Sequence, residues 1–181
     1  MSTLELPFSL EQLEHADAPL IRVRHGSDGG PVEATAARRV RATPGRVWST
    51  ISDVQSYAGR IPMMDSVKVD GRIATVHLRF GLSLFSARFS FKVERELDEG
   101  RAVNLRYVDG EPRDLHIKLE VLPASTPETS LLYATIGFDA FSVGWLAKFF
   151  LKHHPEIRYG IYPGAASALL DTMRRVSETG R

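Results

Sequence analysis

Residues Ala42-Thr43-Pro44-Gly45-Arg46-Val47-Trp48-Ser49-Thr50-Ile51-Ser52-Asp53-Val54-Gln55-Ser56-Tyr57, running on to Ile61-Pro62, decide how this chain folds. Thr43 suits a helix cap, because its hydroxyl accepts from an otherwise orphaned N–H of the first turn. Pro44 follows at the first helical position, where its missing N–H is no loss. Val47, Trp48 and Ile51 recur at helical spacing and give that helix one apolar face. Asp53 stands where a second short helix needs a cap, and Pro62 stops it. The stretch reads as strand end, capped helix, sharp turn and second short helix.

Downstream the periodicity changes from helical to alternating. Ser66–Val69 gives a short strand, and Asp70-Gly71 a hairpin turn. Arg72–Leu82 follows with Ala74, Val76, Leu78 and Phe80 on one face. Phe85 to Leu97 is the cleanest strand, with Phe85, Ala87, Phe89, Phe91 and Val93 alternating with Ser86, Arg88, Ser90, Lys92 and Glu94. Ala102–Val108 sets Val103, Leu105 and Tyr107 inward. Leu115–Val121 sets Leu115, Ile117, Leu119 and Val121 inward, with His116, Lys118 and Glu120 outward, and Leu131–Phe138 is the last strand. Strands with one apolar and one polar face predict an antiparallel sheet that is wet on one side. The cover for its dry side is the tail, where Ala165, Leu169, Leu170, Met173 and Val176 recur at helical spacing.

Upstream, Val32–Ala42 alternates as the first core strand, and Gly26-Ser27-Asp28-Gly29-Gly30-Pro31 is a turn. Residues 1–31 form an N-terminal extension in which Leu20–His25 alternates like an extra strand. A weak helical pattern through Leu10, Leu13 and Ala16 follows a Ser9 cap. Residues 32–178 form the main domain.

The segment from Thr43-Pro44 to Trp48, with Asp53 before Tyr57 and Pro62 before the next strand, resembles the START-like superfamily. Within it the chain is most similar to the polyketide-cyclase and coenzyme-Q-binding branch. The resemblance covers roughly Val32 to Val176 and implies an α+β helix-grip fold. In that fold a curved antiparallel sheet of six to seven strands wraps around a long C-terminal helix, with two short helices after the first core strand. Members of this superfamily typically hold a lipid, sterol, quinone or polyketide between sheet and helix.

The composition agrees with an ordinary globular chain: 181 residues, 43% apolar and 25% charged, one domain by size. Lys and Arg number 23 against 22 Asp and Glu, so a net charge of +1 gives no field to steer the protein toward nucleic acid. With no cysteine, neither a disulfide framework nor a thiolate ligand or nucleophile is available. The N-terminus has no basic, apolar secretion pattern and no run is long enough to span a bilayer, so a cytoplasmic location is expected.

The inward stripes nominate ligand-binding residues: Val76, Leu78, Phe80, Phe89, Phe91, Leu105, Tyr107, Ile117, Leu119, Tyr133, Phe138, Leu169 and Met173. Such side chains either close-pack or line an apolar chamber, and the resemblance favours the chamber. Inward polar groups are few: the hydroxyls of Tyr107 and Tyr133, and Arg95 at the far end of the longest strand. No inward His, Asp or Glu is expected, which leaves no candidate catalytic residue. His153-His154 diverge by about 100 degrees on a helix, so no metal or other cofactor is expected.

Ser142–Lys152 is apolar around most of its circumference, with Lys148 and Lys152 one turn apart. It reads either as a lid helix over the sheet mouth or as a peripheral membrane contact through Trp145, Phe149 and Phe150. Pro155 and the Tyr159–Gly164 run should break or kink the tail. No feature sets an oligomeric state. Three functions fit: non-catalytic binding or transport of a hydrophobic small molecule, a polyketide aromatase/cyclase-type enzyme, and a macromolecular interaction module.

Overall fold

The computed structural model describes residues 7–82 and 85–180, with side chains except at 80–82, 85–87 and 145–147. Eight strands make one antiparallel sheet: β1 (Leu20–His25), β2 (Pro31–Val40), β3 (Met64–Asp70), β4 (Ile73–Leu82), β5 (Phe85–Asp98), β6 (Ala102–Gly110), β7 (His116–Pro123) and β8 (Ser130–Gly137). Their order is β1-β2-β8-β7-β6-β5-β4-β3. The strand in the N-terminal extension therefore joins the same sheet as the core strands, paired from Leu20 opposite Ala37 to Arg24 opposite Glu33.

Helices are α1 (Leu10–His15), α2 (Pro44–Ser52), α3 (Gly144–His153) and α4 (Arg158–Thr179). The Thr43 hydroxyl accepts from the Arg46 N–H at the start of α2, and Pro44 occupies the first turn. Val47 and Ile51 turn into the core while Trp48 packs partly buried against it. A short 3-10 helix, Val54–Tyr57, follows. Asp53 does not cap it through its side chain; the Asp53 backbone carbonyl accepts instead from the Ser56 N–H and hydroxyl. At Ser9, by contrast, a reciprocal capping box with Gln12 starts α1.

The tail does not break in the Tyr159–Gly164 run. α4 is one helix from Arg158 to Thr179 with Pro163 inside it. Pro163 lies in the second turn, so its missing N–H costs a single hydrogen bond near an end that is anchored independently. The anchor is Arg158, which donates to the Asp28 carboxylate at 2.9 Å and the Pro31 carbonyl at 3.2 Å and stacks over Phe141. Gly30 lies so close beneath that guanidinium that a Cβ would stand 2.4 Å from it.

α4 packs across β2 and β8, and α2 lies beside it over β6, β7 and β8. Leu170, Met173 and Val176 on the second half of α4 are buried against the sheet, each worth about 1.5–3 kcal/mol in removed apolar surface. The opposite face carries a smaller cluster, Leu13, Ala37, Leu131 and Tyr133, under α1.

Candidate functional site

One face of α4 and the inner faces of β3 to β8 enclose a chamber of about 400 Å³, while Tyr162 and Ala166 on the same helix are buried in the core. Ile161, Ala165 and Leu169 form the α4 wall, with Phe150 and Leu151 of α3 across the mouth. Leu78, Ile117, Ile136 and Phe138 sit on the inner face yet are only partly buried, because they face this space instead of a packed neighbour. Met63, Phe150 and Ile157 also line it and are exposed, which marks its rim.

Of the residues expected at the ligand, Val76, Leu78, Phe89, Phe91, Leu105, Ile117, Phe138 and Leu169 line the chamber. Leu119 and Met173 are buried in the solid part of the core instead. Tyr107 packs partly buried against that core, and its hydroxyl donates to the Gly110 carbonyl at 3.1 Å. Tyr133 is on the other face of the sheet, because it lies three residues from the chamber-lining Ile136 on a strand of period two. The Phe80 side chain, like that of Trp145, lies outside the described residues. Arg95 does not enter the chamber; it is half-buried and donates to the Gly71 carbonyl.

The chamber takes several residues from parts that alternation could not reach. Tyr57, Ile61 and Met63 come from the irregular stretch after α2, Val143 from the residue before α3, and Ile157 from the short turn between α3 and α4. Tyr57 is the one lining residue with a titratable group among those described. Its hydroxyl donates to the Ile51 carbonyl at 2.5 Å, and burial, aided by Asp53, pushes its ionisation far above the ordinary phenol range. Tyr162 behaves similarly, donating to the Phe138 carbonyl at 2.9 Å. No group of three or more His, Asp or Glu that could hold a metal ion occurs among the described residues.

A sheet gripping a long helix with a void between them is the arrangement of START-like proteins. The fold is similar to a START superfamily protein from Mycobacterium smegmatis (TM-score 0.53, 13% identity, 76% of this chain and 99% of that one). It is also similar to the Zhui aromatase/cyclase from Streptomyces (TM-score 0.55, 16% identity, 89% and 98%). A conserved protein from Geobacillus kaustophilus gives a TM-score of 0.63 at 14% identity, over 81% of this chain and 95% of that one. The chain belongs to the polyketide cyclase/dehydrase and lipid transport family, whose model matches residues 40–154. No curated protein matches it by sequence.

Proposed function

We propose that the protein binds or carries a hydrophobic small molecule of the lipid, quinone, isoprenoid or polyketide class, without transforming it. The observation that carries this reading is the lining: 400 Å³ walled by aliphatic, aromatic and thioether groups, within the ~300–1,000 Å³ typical of small-molecule sites. Transfer of an apolar ligand from water into such a space is driven by the area it removes from solvent. A cyclase would need a proton-transfer group within hydrogen-bond reach of the substrate. That reading draws on the family description and the likeness to an aromatase/cyclase. Tyr57 argues against it, since its hydroxyl is committed to the Ile51 carbonyl.

Phe149 and Phe150, 53% and 46% exposed, stand beside Lys148 and Lys152 on α3, and Phe150 lines the rim of the chamber. This favours a peripheral membrane contact through α3, where a greasy ligand would enter. No helix among the described residues is long and apolar enough to cross a membrane.

The test is extraction of the purified protein with organic solvent and mass analysis of what it releases, followed by titration with a panel of lipids and quinones. One lipophile per chain, or saturable micromolar binding, is the expected result. Recovery of nothing and binding of nothing would remove the proposal.

A further inference from the structure

Ile157, Ile161, Ala165 and Leu169 succeed one another at four-residue steps and present one stripe along α4 to the chamber. At about 1.5 Å of rise per residue the stripe is about 18 Å long. The exposed Ile157 stands at one end of it and Leu169, 6% exposed, at the other. The chamber of about 400 Å³ is therefore long and narrow along the helix. A methylene group packs into the ~30 Å³ that a water occupies in the liquid, so the space holds about a dozen carbon atoms. An extended chain of that many carbons, with its head atoms, is about as long as the stripe.

This space has little hydrogen-bonding capacity. Among the described lining residues the polar side-chain atoms are the Tyr57 hydroxyl, already donated to the Ile51 carbonyl, and the weakly accepting sulfurs of Met63 and Met64. Backbone groups of the irregular segments are paired as well. The Tyr57 and Ile61 carbonyls accept from the Ile61 and Met64 N–H groups at 3.0 and 3.2 Å. The Met63 carbonyl accepts from the Arg79 N–H and the Leu115 carbonyl from the Tyr107 N–H, both at 2.8 Å. Pro62 and Pro112 also line the chamber and have no N–H to give. A carbonyl or hydroxyl carried inside would lose its water and gain no partner, which costs about fivefold to a hundredfold in affinity for each group.

We propose that the chamber takes one extended hydrocarbon tail of about a dozen carbons and leaves the polar head of that molecule outside, at the rim marked by Met63, Phe150 and Ile157. The proposal rests on the reading that the chamber carries a hydrophobic ligand, and it narrows the class. A saturated acyl or alkyl chain and an isoprenoid tail share the required chemistry. A quinone ring or a folded polyketide does not, since its oxygens would be stranded among carbon. Selection is by tail length, because the wall at Leu169 sets where the chain stops, and hardly by head group.

The full chain is titrated calorimetrically, below micelle-forming concentrations, with the 1-alkanols from octanol to hexadecanol, the matching fatty acids, farnesol, menadione as a tailless quinone, and emodin as a fused-ring polyketide. Affinity should rise about fourfold per added carbon and level off near about a dozen carbons. An alcohol and an acid of one length should agree within about threefold, and menadione and emodin should bind at least tenfold more weakly than dodecanol. Farnesol binding tighter than dodecanol would assign the tail to the isoprenoids, and the reverse order to the acyl and alkyl chains. Leu169→Ala should move the levelling point up by about three carbons, the size of the side chain removed; where that variant fails to fold, the wild-type length profile decides. Rings that bind as tightly as dodecanol, an affinity independent of chain length, or a head-group preference above tenfold would overturn the proposal and leave a carrier of hydrophobic molecules standing. No binding of any probe would remove both.

Discussion

The imidazole of His116 reaches the Glu33 carboxylate at 2.5 Å by crossing Gly137, which lies opposite both residues in the sheet. Its other ring nitrogen faces the Asp114 carbonyl at 3.3 Å, so both nitrogens meet acceptors and the doubly protonated ring is favoured. The bond to Glu33 raises the His116 pKa above 6.5, and the same bond, with Arg24, lowers Glu33 from 4.5 to about 2.

The pair gives stability a pH signature. The His116 part is complete below pH 6.5 and is lost as pH rises through the raised value. The Glu33 part is complete above pH 4.5 and is lost as pH falls toward about 2. The stability gap between wild type and His116→Gln, by urea denaturation, should be widest between those limits. With His116 41% exposed, the gap should reach only about 1 kcal/mol. A gap that stays level from pH 4 to pH 9 would show that the contact is not ionic.

Gly137→Ala should cost about 1–3 kcal/mol, because its Cβ would stand 2.3 Å from the His116 Cε1 and 3.0 Å from the Val32 carbonyl oxygen. Most of that cost should vanish when His116 is already Ala, where the clashing ring is gone. Additive losses in the double variant would trace the penalty to the backbone contact instead.

Tyr57→Phe removes the donor that satisfies the Ile51 carbonyl and should destabilise the fold by about 1–3 kcal/mol. Lipid affinity should change less than threefold, since the lost oxygen points at backbone and not at the chamber. A variant of full stability that loses its ligand would give Tyr57 a direct role in binding.

Ala165→Phe pushes a ring from α4 into the chamber. Apolar ligand affinity should fall more than tenfold while the melting temperature holds or rises, because the ring fills existing space. Unaltered binding would mean that the ligand sits elsewhere.

Phe149→Glu combined with Phe150→Glu should abolish sedimentation with vesicles of mixed neutral and anionic lipid. Extra salt should weaken the wild type in the same assay through Lys148 and Lys152. Retention of the double variant on vesicles would exclude α3 as the contact.

Local chemistry made much of this fold legible. Thr43 and Pro44 mark the start of α2, and the alternation from Phe85 onward fixes which face of β5 points inward. The same alternation put seven of the chamber residues in place, and the helical spacing of the tail added Leu169. It misassigned Tyr133 because the residues of β8 are largely apolar on both faces: Leu131 and Tyr133 pack under α1 while Leu132 and Ala134 join the main core. Glu120 read as outward and solvated, and it is outward, but Tyr133, Arg101 and Lys118 crowd around it. The His116–Glu33 pair joins positions 83 apart in the chain, a contact that only the tertiary register creates. The rim residues Met63 and Ile157 come from segments without periodicity, where no pattern assigns a face.

The seam between β2 and β8 joins Thr35 to Thr135, positions 100 apart in the chain. During synthesis the meander from β3 to β7 can pair as it emerges, while β2 keeps an open edge until the ribosome has delivered β8. Contacts of such long separation are slow to form and leave that edge vulnerable to wrong partners. Crowded or fast expression should therefore yield misassembled chains in which β2 has paired with a neighbour's β8.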